Sequence, residues 1–305
     1  MHQEAITGTI APMLKQKLLI GFVGQGYVGK NYADNLESRG YSVVRYSLEE
    51  PYRANKNKIK KCDIVFICVP TPTTSKGFDV SIVEAALKLV PRNKTAVIKS
   101  TILPGMTRKL QKKFPNIIVL FSPEFFSVAT AKQDTNNPFM NIIGLPSQSA
   151  RHKKAAEHVH SIIPRAPFTQ TVTSDEAEIT KYAHNMSGYT QVLTFNLLYD
   201  MAQHLGCNWR AVQEAIEADP LVCNRYANPV HKGGRGAGGF CFIKDLAAFS
   251  HLYKETIKRP EGEALLDAMQ KNNIALLMET NKDESLLRDV YGSAVIRRAA
   301  KRARR

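Results

Sequence analysis

No stretch of this sequence is apolar for long enough to cross a bilayer, and no charged start followed by an apolar run marks it for export. A membrane role is therefore not expected, and the cytoplasm is the expected compartment. Cysteines are few and unevenly placed. Cys62, Cys68, Cys207, Cys223 and Cys241 are odd in number and form no Cys-x-x-Cys pair, which argues against a disulfide framework and a paired-cysteine metal site. Reduced thiols and no metal are expected. Negative charge is also short, with 27 aspartates and glutamates against 42 lysines and arginines, a net charge of +15. Six of the basic residues crowd the end: Arg297, Arg298, Lys301, Arg302, Arg304 and Arg305, leaving +9 on the rest. Such a tail attracts phosphates. The expectation is a solvated terminus all the same, with nucleic acid not taken as a partner.

What is present is globular. Apolar residues make up 44% and charged residues 23%, an ordinary balance. At 305 residues the chain reaches the size where single cores stop growing, so two domains are expected.

Residues 1–14 show no period and read as a flexible lead-in. The apolar run 15–23 (KQKLLIGFV) suits a buried strand. Residues 31–39 read as a helix stopped by Gly40, 42–46 as a strand, 56–61 as a basic stretch and 64–69 as a strongly apolar strand. Helices at 80–89, 108–114 and 150–162 then alternate with strands at 95–98, 117–121 and 141–144, and 168–172 reads as an edge strand. That alternation predicts a parallel sheet with helices on both faces. The style changes near Ser174. Residues 175–204 carry apolar residues at helical spacing and no proline, and helices follow at 208–217, 244–253 and 262–279 around a glycine-rich loop at 225–239. We therefore expect an α/β domain over 15–173, an all-α domain over 174–292 and a basic tail over 293–305. No internal repeat is visible.

Gly24-Gln25-Gly26-Tyr27-Val28-Gly29 fits G-x-G-x-x-G between a strand and a helix. The first glycine allows the tight turn, the second admits a pyrophosphate to the backbone, and the third lets helix pack on strand. A dinucleotide held at the helix N-terminus is expected. The acid expected about 20 residues on, to hold the ribose hydroxyls, is missing. Ser47 stands there and can bond a hydroxyl, with Glu49 or Glu50 nearby. Arg45 with Ser47 could instead take the 2′-phosphate of NADP, or Arg45 could simply point to solvent.

Further motifs follow in order: Val69-Pro70-Thr71-Pro72; Lys99-Ser100-Thr101 with Pro104-Gly105; Ser122-Pro123-Glu124-Phe125; Ala177-Glu178 with Lys181 and Asn185; and Gly236-Ala237-Gly238-Gly239-Phe240-Cys241 with Lys244-Asp245. Over residues 17 to 290 this set resembles the UDP-glucose/GDP-mannose dehydrogenase family. The resemblance implies a Rossmann-like doubly wound parallel sheet followed by an all-α dimerisation domain. It implies oxidation of the 6-hydroxymethyl of a nucleotide sugar to a carboxylate with two NAD⁺, and a homodimer through the long helix 175–204. It also implies a third, nucleotide-binding domain, and the chain is expected to stop before it.

The resemblance assigns roles. Cys241 is the nucleophile that holds the aldehyde between two hydride transfers, first as a thiohemiacetal and then as a thioester. Lys181 and Asn185, one helical turn apart, stabilise the oxyanion. Asp245 acts as base through a water. Glu124 assists water in thioester hydrolysis, and Thr101 holds that water or the nicotinamide ribose. Val69, Pro70, Thr71 and Lys244 join the glycine loop and Ser47 around the cofactor. Phe125, Phe126, Gly238 and Arg225 face substrate, Arg225 reaching across a dimer. Taken without the resemblance, Lys181 reads as a surface lysine, Asp245 as a helix-surface carboxylate, and Cys62 and Cys68 as core filler. Some positions depart from the family: Val128 replaces a second glutamate, Phe240 a small residue and Ile243 a proline. Two other readings stay open. One is a non-catalytic dinucleotide-binding scaffold. The other is a dehydrogenase of the 6-phosphogluconate or 3-hydroxyacid type, which has no use for Cys241.

Overall fold

The computed structural model describes residues 18–297. The lead-in at 1–14 and most of the basic tail lie outside the described residues. The chain forms two compact units, one of residues up to 71 together with 80–181, the other of 72–79 together with residues from 182 on.

The first unit is built on a seven-stranded sheet. Its strands are β1 (Leu19–Val23), β2 (Ser42–Tyr46), β3 (Ile64–Ile67), β6 (Thr95–Ile98), β7 (Ile118–Phe121), β8 (Met140–Leu145) and β9 (Phe168–Thr173), in the order β2-β1-β3-β6-β7-β8-β9. The strands IVFI, TAVI and IVLF are buried at every position. Continuous β-branched runs of this kind belong in a parallel sheet covered on both faces. Helices α1 (Tyr27–Ser38), α2 (Lys56–Ile59), α3 (Ser81–Leu87), α4 (Met106–Lys113), α5 (Ala131–Asn136) and α6 (Ala150–Ile162) connect the strands. Tyr32, Ala33 and Leu36 of α1 and Ala155, Ala156, Val159 and Ile162 of α6 close the core over Phe22, Phe66 and Leu120.

The sheet departs from the expected pattern in one respect. β8 pairs antiparallel with β7, and β9 runs parallel to β8. The chain leaving β7 carries only the six-residue helix α5 and re-enters the sheet at the same edge. Re-entry at the same edge makes β8 antiparallel to β7.

The second unit is helical. It contains most of α7 (Ser174–His204), then α8 (Trp209–Ala218), α9 (Gly239–Thr256), α10 (Pro260–Glu279) and α11 (Glu284–Tyr291). Pro260 opens α10, where its missing N–H costs nothing. One core joins Tyr189 and Leu193 of α7 to Leu246 of α9 and Leu266 and Leu276 of α10. A second joins Ile243, Ile274, Leu277, Leu287 and Val290. A small hairpin, β4 (Thr73–Thr74) with β5 (Gly77–Phe78), also belongs to this unit.

Candidate functional site

In the first unit the switch point of the strand order lies between β1 and β3, where an open α/β sheet leaves a crevice at its carboxyl edge. The two loops there press together. Gly24 has φ +94°, and a Cβ on it would lie 2.3 Å from the Cys68 carbonyl oxygen, so both turn and contact require glycine. A Cβ on Gly29 would lie 2.0 Å from the Gly24 oxygen, so the first turn of the helix packs directly on the glycine turn. Gly26 is different: nothing lies within 4 Å of its Cβ position. It caps α1 with no side-chain hydrogen bond, so first-turn N–H groups are left for an anion. This cradle fits a dinucleotide pyrophosphate. Tyr27 is exposed and Val28 half-buried beside it.

At the end of β2, Ser47 Oγ donates to the Glu49 carbonyl (2.8 Å). Arg45 does not point to solvent. Its Nε and Nη2 donate to the two carboxylate oxygens of Glu37 (3.0 and 2.6 Å), and Nη2 also meets Asp34 (2.7 Å). The loops after β3 and β6 are stitched together: Thr71 Oγ1 donates to Thr101 O (2.8 Å) and Ser100 Oγ to Val69 O (2.6 Å). Pro70 is exposed.

Glu124 and Lys181 come together in the same unit. Lys181 is buried, not a surface lysine, and its Nζ donates to the Glu124 carbonyl oxygen (2.6 Å) and lies 5.5 Å from the Phe125 ring. Phe125 is buried and Phe126 half-buried, while Val128 is exposed. The motif residue Glu178 is fully buried and accepts from Gly105 N (2.6 Å), Thr107 N (2.8 Å) and Thr107 Oγ1 (2.6 Å) at the start of α4. Burial raises its carboxyl to about 7, against the pull of those hydrogen bonds.

Lys99 is a residue the sequence reading did not assign. It follows the apolar strand β6, its side chain is 1% exposed, and it forms an ion pair with Glu124, itself 13% exposed. A lysine continuing an apolar run was the available signal, because a buried ammonium requires partners. Burial pushes the Cys62 and Cys68 thiols up to about 12, which disfavours the thiolate at both.

The second unit holds the other predicted residues. Cys241 is exposed and sits in the first turn of α9, behind the glycine-rich loop. Negative charge is favoured at such a helix start. One turn further on, Lys244 and Asp245 are buried as an ion pair, and Asn185 Nδ2 donates to the other Asp245 oxygen (2.6 Å). Asp245 is thus no helix-surface carboxylate. Lys244 Nζ lies 5.4 Å from the Phe240 ring. Gly238 is packed under Asp283, whose carboxylate accepts from Gly239 N (2.7 Å). Arg225 is exposed, and its neighbour Tyr226 packs against Phe242, centroids 5.5 Å apart. No cluster of three or more metal-ligating side chains occurs among the described residues.

Comparison with known proteins matches two models of one family. The UDP-glucose/GDP-mannose dehydrogenase NAD binding domain matches residues 50–163, and the central domain of the same family matches residues 175–274. A UDP-glucose 6-dehydrogenase of Streptococcus pneumoniae is 28% identical over 233 residues, covering 72% of this chain and 56% of that one. The chain spans about half the length of the curated relatives it matches. Among solved structures, a UDP-glucose dehydrogenase from Pyrobaculum islandicum superposes with a TM-score of 0.73 at 23% identity, covering 94% of this chain and 80% of that one. A 3-hydroxyisobutyrate dehydrogenase of Mycobacterium tuberculosis superposes with a TM-score of 0.65 at 17% identity, covering 92% and 98%. At these identities the structural likeness speaks for the fold.

Proposed function

Because this chain belongs to the UDP-glucose/GDP-mannose dehydrogenase family, we propose that it oxidises the 6-hydroxymethyl of a UDP-glucose-like nucleotide sugar to the carboxylate through a covalent adduct on Cys241. The observation that carries this reading is the exposed thiol in the first turn of α9, joined in that helix by the buried Lys244–Asp245 pair that Asn185 also contacts. A dinucleotide scaffold has no use for that set, and a 3-hydroxyacid dehydrogenase has none for Cys241. Gly24, Gly26 and Gly29, with Ser47, Val69 to Thr71 and Thr101, would hold the cofactor, which supplies the hydride acceptor when bound. The engagement of Arg45 by Glu37 and Asp34 supports NAD, since a 2′-phosphate would need that guanidinium.

The chain's own groups then divide the work. Asp245 takes the hydroxyl proton through a water. Lys181 and Asn185 donate to the substrate oxygen as it gains charge. The Cys241 sulfur bonds to the aldehyde carbon and retains it for the second oxidation. Water then attacks the thioester carbon with the help of Glu124, and the C–S bond breaks with its electrons passing to sulfur.

Apolar residues left uncovered on α7 and in the turn after it support a homodimer as the working state, with Leu197, Leu198 and Met201 of the helix and Leu205 of the turn all exposed. The amphipathic α8 buries none of its residues either. The test is cofactor reduction with a panel of nucleotide sugars. Two reduced cofactors per sugar are expected. Silence across the panel would favour the scaffold, a reading that the exposed Val128 also supports. An active Cys241→Ser variant would favour the hydroxyacid type.

A further inference from the structure

The hydrolytic half of that reaction depends on where the Glu124 carboxylate is held, and this inference rests on the reading above. Lys99 is buried in the first unit. Its ammonium carries three N–H donors, and three acceptors lie around it: the Glu124 carboxylate, the Ser122 carbonyl oxygen (3.4 Å) and Ser122 Oγ (3.3 Å). The Tyr32 ring lies 4.1 Å from Lys99 Nζ, a cation–π contact. The Tyr32 hydroxyl hydrogen-bonds Glu124, and burial first, then that carboxylate, holds the phenol well above its ordinary range, so it remains a donor. Lys99 therefore has no donor left for a substrate. It can act only through Glu124, the most exposed of these partners. Lys181 grips the same residue from its backbone side, at the carbonyl oxygen.

We propose that Lys99, backed by Tyr32, is a positioning residue for thioester hydrolysis: it fixes the Glu124 carboxylate so that its remaining acceptor positions orient the attacking water. In that step a water O–C bond forms and the C–S bond to Cys241 breaks. One water proton passes to Glu124 and on to the departing sulfur, and the product acid loses the other to solvent. No oxidant or reductant is consumed. Loss of the positioning group should slow this step and leave the two oxidations that precede it largely intact. A misplacement of about 1 Å costs roughly 10²-fold.

The experiment compares the unaltered chain with Lys99→Met and Tyr32→Phe in rapid-quench assays with UDP-glucose and NAD⁺. Reduced cofactor and the intact mass of the protein are read together. Tyr32→Phe keeps the ring beneath the ammonium, so it remains informative if Lys99→Met folds poorly. We expect a burst of two reduced cofactors per active site in both variants. An acyl adduct on Cys241 should then persist, with steady turnover about 10²-fold lower in Lys99→Met and reduced less in Tyr32→Phe. Recovery of turnover in Lys99→Ala on adding ethylamine would further separate positioning from bulk stability. If turnover falls in both variants with no adduct, or if burst and turnover fall by one common factor, the positioning role is wrong. If the unaltered chain forms no cysteine adduct and shows no two-for-one reduction, the underlying reading fails first and takes this one with it.

Discussion

Single side chains in this protein carry charge into places where charge is costly. Asp245 is buried against the Lys244 ammonium and the Asn185 amide. Asp245→Asn would leave that ammonium without its counter-ion, and truncating one partner of a buried pair costs about 3–5 kcal/mol. Denaturant unfolding should show that loss, whereas a stability change below about 1 kcal/mol would mean the pair is better hydrated than its burial implies. Glu178 gives a pH signature. Its carboxyl is raised from 4.5 to about 7 in the folded protein, burial outweighing three hydrogen bonds. A raised folded value means that its contribution is fully present below about 4.5 and is lost as pH rises through about 7, a change of about 3 kcal/mol. Thermal unfolding between pH 4.5 and 8 should show this slope, and Glu178→Gln should flatten it. The burial of Asp245, like that of Lys181, was not legible beforehand. Lys181 and Asp245, taken by their spacing alone, read as surface groups, because a helical pattern does not say which polar residue faces a partner.

Among the elements, the glycine turn was the most legible, because each glycine answers a separate steric demand. Gly24 and Gly29 meet backbone at 2.3 and 2.0 Å, whereas nothing lies within 4 Å of the Gly26 Cβ position. The substitutions should therefore separate. Gly24→Ala should destabilise the first unit. Gly26→Ala, at φ −72°, should leave the melting temperature nearly unchanged and weaken dinucleotide binding at least tenfold in a fluorescence titration. Equal NADH affinity in Gly26→Ala and the unaltered chain would move the pyrophosphate elsewhere. Other elements were hidden for physical reasons. The helix after the glycine turn starts at Tyr27 rather than near residue 31, because Gly29 of the turn lies inside its first turn. The reversed direction of β8 leaves no mark in the sequence, since a short buried strand has the same composition either way. The hairpin of β4 and β5, with two residues in each strand, is too brief for any period.

For the molecule as a whole, the uncovered faces of α7 and α8 set the assembly prediction. Met201 of α7 is 58% exposed, and Leu205, in the turn between the two helices, 67%. Sedimentation at micromolar concentration should give a dimer, and Met201→Glu with Leu205→Glu should give a folded monomer. A monomeric unaltered chain would remove the homodimer from the proposal. Fold class and the family set were legible because the motifs recur in a fixed order along the chain. The burial that gives those motifs their chemistry was not, since it depends on contacts between residues 25 to 60 positions apart, as between Lys99 and Glu124 or Asn185 and Asp245.

The eight residues 72–79 interrupt one unit in sequence while belonging to the other, and the Asp79 N–H donates to Pro72 O (2.9 Å) at the base of the excursion. The thread thus changes owner three times, at 71/72, 79/80 and 181/182. A single protease nick, wherever it fell, would not deal each half its full hand of residues. Anyone grafting the nucleotide-binding half into another enzyme would have to trim this loop at its pinched neck, or carry across a fragment whose natural companions stayed behind.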